Sequence, residues 1–296
     1  MNAVLQTPFE DPFALGRPQD YLRWRERKLA RYPRRADDLV VDVRDPRRLT
    51  DSEAGELRRK CAVANMAIYA SPLGDLADKD MARGLGARLG LVRMEANPLA
   101  DEDGISSLEV APEKSGRGYI PYSNRRLLWH TDGYYNAPAR RIRAFVLHCV
   151  RPAAEGGENR LLDPEIAYIL LRDADPQYVA ALSASDAMTI PANQEDPAAQ
   201  RAAQAGPVFS DEDGALHMRY TARTRSIVWR ADAATQAAVQ RLREIVDSDS
   251  PYVFRLKLSG GQGLVCNNVL HDRSAFTDAP DRGRLVYRAR YFDRIG

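Results

Sequence analysis

The order of the periodic segments most constrains what this chain can fold into. Helical patterns come first, strand patterns come last, and no regular βα alternation links them. Parallel doubly wound sheets need that alternation, so an antiparallel, mainly β architecture with flanking helices is expected. Pro18 to Tyr32 reads as a helix, with Tyr21, Leu22, Trp24, Leu29 and Tyr32 among Arg and Lys. Asp51 to Met66 reads as a second, acidic at its start and basic later, and Leu73 to Leu91 as a third, weakened by glycines. A short strand is expected at Met66 to Ala70. Further strands are expected at Ile142 to Val150, Arg160 to Leu162, Tyr252 to Leu258, Leu264 to Asn267 and Arg284 to Phe292. Residues 208–220 carry a hairpin pattern with Gly214 in the turn. Between these strands, residues 163–250 read as a helical insertion, with a mobile stretch at Pro191 to Pro207. Helices are expected there at Asp163 to Arg172, Asp175 to Ala184 and Asp232 to Val246.

At 296 residues the chain fits one domain, with residues 1–124 packing as a helical and loop region on a core of residues 125–296. Residues 95–124 are polar and rich in Gly, Pro and Ser, and read as an active-site lid or wall. The 43 basic and 41 acidic side chains nearly cancel, which gives no reason to propose nucleic acid as a partner. The three cysteines are far apart and show no CxxC spacing, so a reducing, cytoplasmic setting is expected. Neither a signal peptide nor an apolar stretch long enough to span a bilayer is seen. A homo-oligomer is compatible with all of this.

The chemistry centres on Trp129-His130-Thr131-Asp132-Gly133-Tyr134-Tyr135. In an extended segment residues i and i+2 point the same way, so His130 and Asp132 can aim at one point. A third ligand is needed. Of the four histidines, His271 has the most site-like setting, in Asn267-Asn268-Val269-Leu270-His271-Asp272-Arg273. His148, in mid-strand, reads as a packed residue, and His217 as a surface or edge residue. Two histidines and a carboxylate make the facial triad of non-haem Fe(II) oxygenases, with positions left for a keto acid and O₂. Strand ends of a jelly roll bring such distant segments together. Arg284, Arg288 and Arg290 share one face of a strand, where burying them calls for anions. A dicarboxylate would match their guanidinium forks, and so would Asp or Glu partners at a sheet edge.

These motifs together resemble a known family. Trp129-His130-Thr131-Asp132, Glu155-Gly156-Gly157-Glu158-Asn159, Asn268-Val269-Leu270-His271-Asp272-Arg273 and Arg284-Leu285-Val286-Tyr287-Arg288 look like the taurine dioxygenase (TauD/TfdA-like) family of Fe(II)/2-oxoglutarate oxygenases. The GGEN and VLH-x-R forms are more similar to its γ-butyrobetaine and trimethyllysine hydroxylase branch. The resemblance implies a double-stranded β-helix (jelly-roll, cupin-like) core, with His130, Asp132 and His271 as iron ligands. It implies that Arg288 grips the distal carboxylate of 2-oxoglutarate, that Arg284 lies near the chelating carboxylate, and that Asn159 lies against the co-substrate. The gap from His271 to Arg288 is slightly longer than in taurine dioxygenase, so Arg284 could instead be the distal partner. Asp132 speaks for hydroxylation over halogenation, because related halogenases replace that carboxylate. The implied reaction hydroxylates a C–H bond of a small polar molecule, consuming O₂ and releasing succinate and CO₂. Tyr122, Trp129, Tyr134 and Tyr135 are candidate substrate contacts, able to cage a quaternary ammonium or to serve as core. Two other classes remain open: a zinc-dependent hydrolase on the same three ligands, and a non-catalytic β-sandwich binding protein.

Overall fold

A computed structural model describes residues 10–95, 101, 103–112, 119–193 and 200–296. Its strands are β1 (Val40–Asp42), β2 (Met66–Ala70), β3 (Ser106–Leu108), β4 (Leu127–His130), β5 (Ala144–Arg151), β6 (Glu155–Gly156), β7 (Asn159–Leu162), β8 (Met188–Ile190), β9 (Gln204–Gly206), β10 (Phe209–Glu212), β11 (Ala215–Met218), β12 (Val228–Trp229), β13 (Phe254–Leu256), β14 (Gln262–Cys266), β15 (Leu270–Arg273), β16 (Phe276–Thr277) and β17 (Leu285–Tyr291). The helices are α1 (Pro18–Arg31), α2 (Asp51–Ala64), α3 (Asp80–Arg88), α4 (Pro164–Ala174), α5 (Pro176–Leu182) and α6 (Ala233–Asp247). None of them is long and apolar enough to cross a membrane.

Two sheets face each other, as the jelly-roll expectation requires. The major sheet runs β1-β2-β14-β5-β17-β3 and the minor sheet β13-β7-β15-β4. Every pairing in both is antiparallel except β1 with β2. Strand alternation divides the major sheet's side chains between two cores. Phe145, Leu147, Leu264, Cys266 and Val286 point toward the minor sheet. Val146, Val150, Val265, Ala289 and Tyr291 point the other way, against Leu57 and Cys61 of α2 and Ala82 and Leu85 of α3. Each such large apolar side chain, once fully buried, contributes ~1.5–3 kcal/mol, so both layers are needed to hold the sheet. His148 falls on the helix side, fully buried, with Nδ1 2.8 Å from the Tyr69 hydroxyl. That is the packed residue its mid-strand position suggests.

Several expectations need correction. The N-terminal region does not merely pack on the core: β1, β2 and β3 are strands of the major sheet itself. β3 lies within the stretch read as a lid, and it pairs with β17; residues 96–100, 102 and 113–118 of that stretch lie outside the described residues. The third helix spans only Asp80–Arg88; before it Gly74 takes φ +59°, and Asp78 Oδ1 accepts from the Asp80 backbone N–H at 2.9 Å. The insertion is not purely helical. Besides the expected hairpin, which is β10 with β11 turning on Asp213 and Gly214, it carries β8, β9 and β12 as a small sheet. Part of the stretch read as mobile, Gln204–Gly206, is thus a paired strand; residues 194–199 lie outside the described residues.

Candidate active site

β4 and β15 pair so that His130 lies directly opposite His271. Asp132 follows on the same side as His130, just beyond the strand end. The three side chains are buried, and one ligating atom from each lies within 4.8 Å of the others. The imidazole centroids are 4.1 Å apart. Each histidine is oriented by its own strand: His130 Nδ1 lies 2.9 Å from the Leu128 carbonyl, and His271 Nδ1 lies 2.9 Å from the Val269 carbonyl. With Nδ1–H donating there, both Nε2 lone pairs are left for a metal. Burial, then the neighbouring His271, hold the His130 imidazole down to about 3, and burial lowers His271 as well. Both are therefore neutral, metal-ready ligands near pH 7. Burial works against an ionised Asp132, but Arg288 and Arg290 outweigh it and keep its carboxyl below the usual range. Asp132 Oδ2 is buried with no hydrogen-bond partner among the described residues. A buried carboxylate oxygen without a donor fits a cation.

Asn268 fixes the end of this strand. It sits at φ +51°, its Oδ1 accepts from the Asp132 backbone N–H at 2.8 Å, and its Nδ2 donates to the carbonyls of Asp132 at 3.0 Å and Ile142 at 2.7 Å. The motif containing Asn268 was visible in the sequence, but its clamping role was not.

Arg288 and Arg290 lie on the inner face of β17, and Arg284, also buried, directly precedes its first residue. Arg288 Nη1 donates to Asp132 Oδ1 at 3.1 Å, which sets it beside the His/Asp cluster. Its Nε is buried without a partner among the described residues. Arg290 donates to the Tyr135 hydroxyl at 3.1 Å and pairs with the buried Glu95. Arg284 lies one strand turn further off. Among the described residues its guanidinium meets the Leu108 carbonyl, at 3.5 Å, and the Phe276 ring, at 5.3 Å. Burial lowers its pKa, as expected for a buried cation short of anions. Arg273 shares that end: its guanidinium is 4.8 Å from the same ring, and it donates to the backbone carbonyls of Ser123 and Arg125. Burial, then Arg284, push it down to about 9. Arg273 was not singled out from sequence, because nothing in a strand pattern distinguishes a guanidinium that meets carbonyls from one that meets carboxylates.

Asn159 pairs with Arg273 across β7 and β15, and its Nδ2 donates to the Asp272 carbonyl at 2.8 Å. Gly156 and Gly157, at φ +66° and +74°, make the turn that brings β7 in at this register. A Cβ on Gly157 would come within 3.9 Å of Arg284 Nε, so the turn borders the Arg284 end of the site.

The aromatic candidates divide. Trp129 alternates with His130 and faces the opposite side of β4, under the Arg160 guanidinium at 4.7 Å, so it packs away from the cluster. Tyr122 is buried in the main core. Tyr134 and Tyr135 meet edge to face with centroids 5.2 Å apart. The Arg201 guanidinium lies 5.8 Å from the centre of the Tyr135 ring.

Comparison with known proteins follows the same lines. The sequence profile of the Taurine catabolism dioxygenase TauD, TfdA family matches residues 27–290. A uridine-5'-phosphate dioxygenase from Amycolatopsis sp. is 33% identical over 175 residues, which cover 55% of this chain and 60% of that protein. One of the same name from Streptomyces sp. is 35% identical over 171 residues, covering 54% and 60%. The chain thus spans about 60% of the length of these curated relatives. Among solved structures, the non-heme iron oxygenase OrfP in complex with Fe, succinate and (3S)-hydroxy-L-Arg superposes with a TM-score of 0.64 at 15% identity, over 83% of this chain and 82% of that one. Asparagine oxygenase in complex with Fe(II), 2S,3S-3-hydroxyasparagine and succinate gives 0.60 at 14%, over 81% and 78%. At such identities these structures speak for the fold, a jelly roll with flanking helices. Four motifs in order, two facing sheets and a profile match over most of the chain lead to one placement: this chain belongs to the TauD/TfdA family.

Proposed function

We propose that the chain is an Fe(II)/2-oxoglutarate-dependent dioxygenase that hydroxylates a C–H bond of a small polar molecule, in a reducing, cytoplasmic setting. The observation that carries this reading is the pairing of a buried His130/Asp132/His271 cluster with a buried arginine, Arg284, whose guanidinium has no carboxylate ion pair among the described residues. His130, Asp132 and His271 would hold the iron through two neutral imidazoles and one carboxylate, which suits Fe(II). When bound, the iron supplies the O₂ chemistry that couples oxidative decarboxylation of 2-oxoglutarate to hydroxylation of the substrate. One oxygen atom ends in succinate and the other in the product; the keto acid and the C–H bond supply the electrons.

The arginines take reversed parts relative to the first expectation from the resemblance. Arg288, hydrogen-bonded to Asp132, is the residue beside the metal and the chelating end of the keto acid. Arg284, remote from the cluster, is the partner for the distal carboxylate, with Arg273 next to it and Asn159 at the border. A guanidinium fork matches that carboxylate bidentately. A zinc hydrolase would have no use for this second basic end. Substrate-dependent succinate release tests the reading: His130→Ala and Asp132→Ala should abolish it, whereas full turnover in either variant would sink the ligand assignment.

A further inference from the structure

A cavity of about 220 Å³ opens directly against Asp132. It is walled by Arg141, Arg219, His217, Asn136, Ser185 and Gln204, most of them from the insertion. Pockets for whole drug-sized ligands run to ~300–1,000 Å³, so this one has room for a polar head group with the rest of the molecule reaching past Asp132. Its charge is unbalanced. Glu212 pairs with Arg141 and lies 3.8 Å from Arg143. No carboxylate meets Arg219 among the described residues. Among the described residues the Arg219 guanidinium is held by backbone, donating to the carbonyls of Tyr134 at 2.8 Å and Gln204 at 2.5 Å. Gly206 makes room for it: a Cβ there would sit 2.6 Å from Nη1. Arg141 and Arg219 thus line the space, Glu212 is taken by Arg141 with Arg143 behind it, and Asp132 at the far wall is paired with Arg288. The same imbalance pushes two groups down after burial: Arg219 to about 10 through Arg141, and His217 to about 3 through Arg141 and Arg143. A buried cation held open by carbonyls is costly unless an anion completes it.

We infer that this chamber receives the phosphate of a phosphomonoester substrate, with Arg219 as its counter-charge and His217, Ser185 and Asn136 as its hydrogen-bonding wall. Arg219, with no carboxylate partner among the described residues, and the amide, hydroxyl and imidazole groups beside it match the several oxygens of a phosphate better than a single carboxylate. The inference rests on the oxygenase reading only for where the substrate's carbon is presented; the chamber binds an anion in its own right.

Calorimetric titration with ribose 5-phosphate, ribose and ribonate tests it, on the chain loaded with Mn(II) and 2-oxoglutarate and again on the metal-free chain. Ribose 5-phosphate should bind at least about tenfold more tightly than either comparator in both forms, as expected for a charge-assisted contact in a sheltered site. Arg219→Gln should remove about tenfold of that affinity. Ser185→Asp, on the exposed rim, should do the same by repulsion without disturbing the core, and it carries the test if Arg219→Gln fails to fold. Ribose or ribonate binding as tightly as the phosphate, or ribose 5-phosphate affinity unmoved by Ser185→Asp, would overturn the inference. Failure of succinate release with phosphate binding intact would instead count against the iron assignment.

Discussion

At the scale of single residues, the site depends on side chains that hold others in place. Asn268 makes three hydrogen bonds around the Asp132 backbone and occupies a left-handed conformation that alanine adopts with strain. Asn268→Ala should therefore destabilise the chain by ~1–3 kcal/mol in urea unfolding. It should also weaken Fe(II) binding by ~10–100-fold in anaerobic titration, the usual effect of losing an outer-shell partner. Unchanged metal affinity would mean that Asp132 is positioned by something else. Arg284→Met should raise the 2-oxoglutarate concentration for half-maximal rate by ~30-fold or more, because a buried carboxylate would lose its charged partner; an equal or larger effect confined to Arg288→Met would restore the opposite assignment. His130, Asp132 and His271 were legible in the sequence because ligand type and i, i+2 spacing are local properties. Arg273, Arg219 and His217 were not, since whether a guanidinium finds a carboxylate or a carbonyl is decided by tertiary packing. For Trp129 the sequence left both a substrate contact and a core role open, and strand alternation, which turns it away from His130, favours the core role.

At the scale of elements, the helix layer on the outer face of the major sheet stores a dependence on pH. His148 is fully buried between β14 and β17, and burial lowers its pKa to about 4. In the unfolded chain the same group titrates near ~6.5. Between these values the unfolded state binds a proton that the folded state refuses. Stability is therefore complete above pH ~6.5 and is lost as pH falls toward about 4. Urea unfolding at pH 7.5 and 5 should show this loss in the wild type and a smaller one in His148→Phe, by roughly 1–2 kcal/mol. Equal losses would remove His148 as a source. The strand itself, and the packed role of its histidine, followed from period-2 alternation. The strands carrying β1, β3, β8 and β9 did not, because runs of three residues have too little periodicity to register.

For the whole molecule, the two facing sheets explain why distant segments converge. β4 and β15 bring His130 and His271 into register within the minor sheet, while β17 of the major sheet aims its arginines across the gap. The mainly β class and the two-sheet core could be anticipated from element order and from the family motifs. The recruitment of N-terminal strands into the major sheet could not, since it depends on long-range pairing that leaves no local trace. The most direct measurement is anaerobic absorption spectroscopy of the chain with Fe(II) and 2-oxoglutarate. A metal-to-ligand charge-transfer band should appear only when both are present, should persist in Trp129→Phe, and should vanish in His271→Ala. Absence of the band in the wild type, or its survival in His271→Ala, would contradict an iron and keto-acid site built on His130, Asp132 and His271.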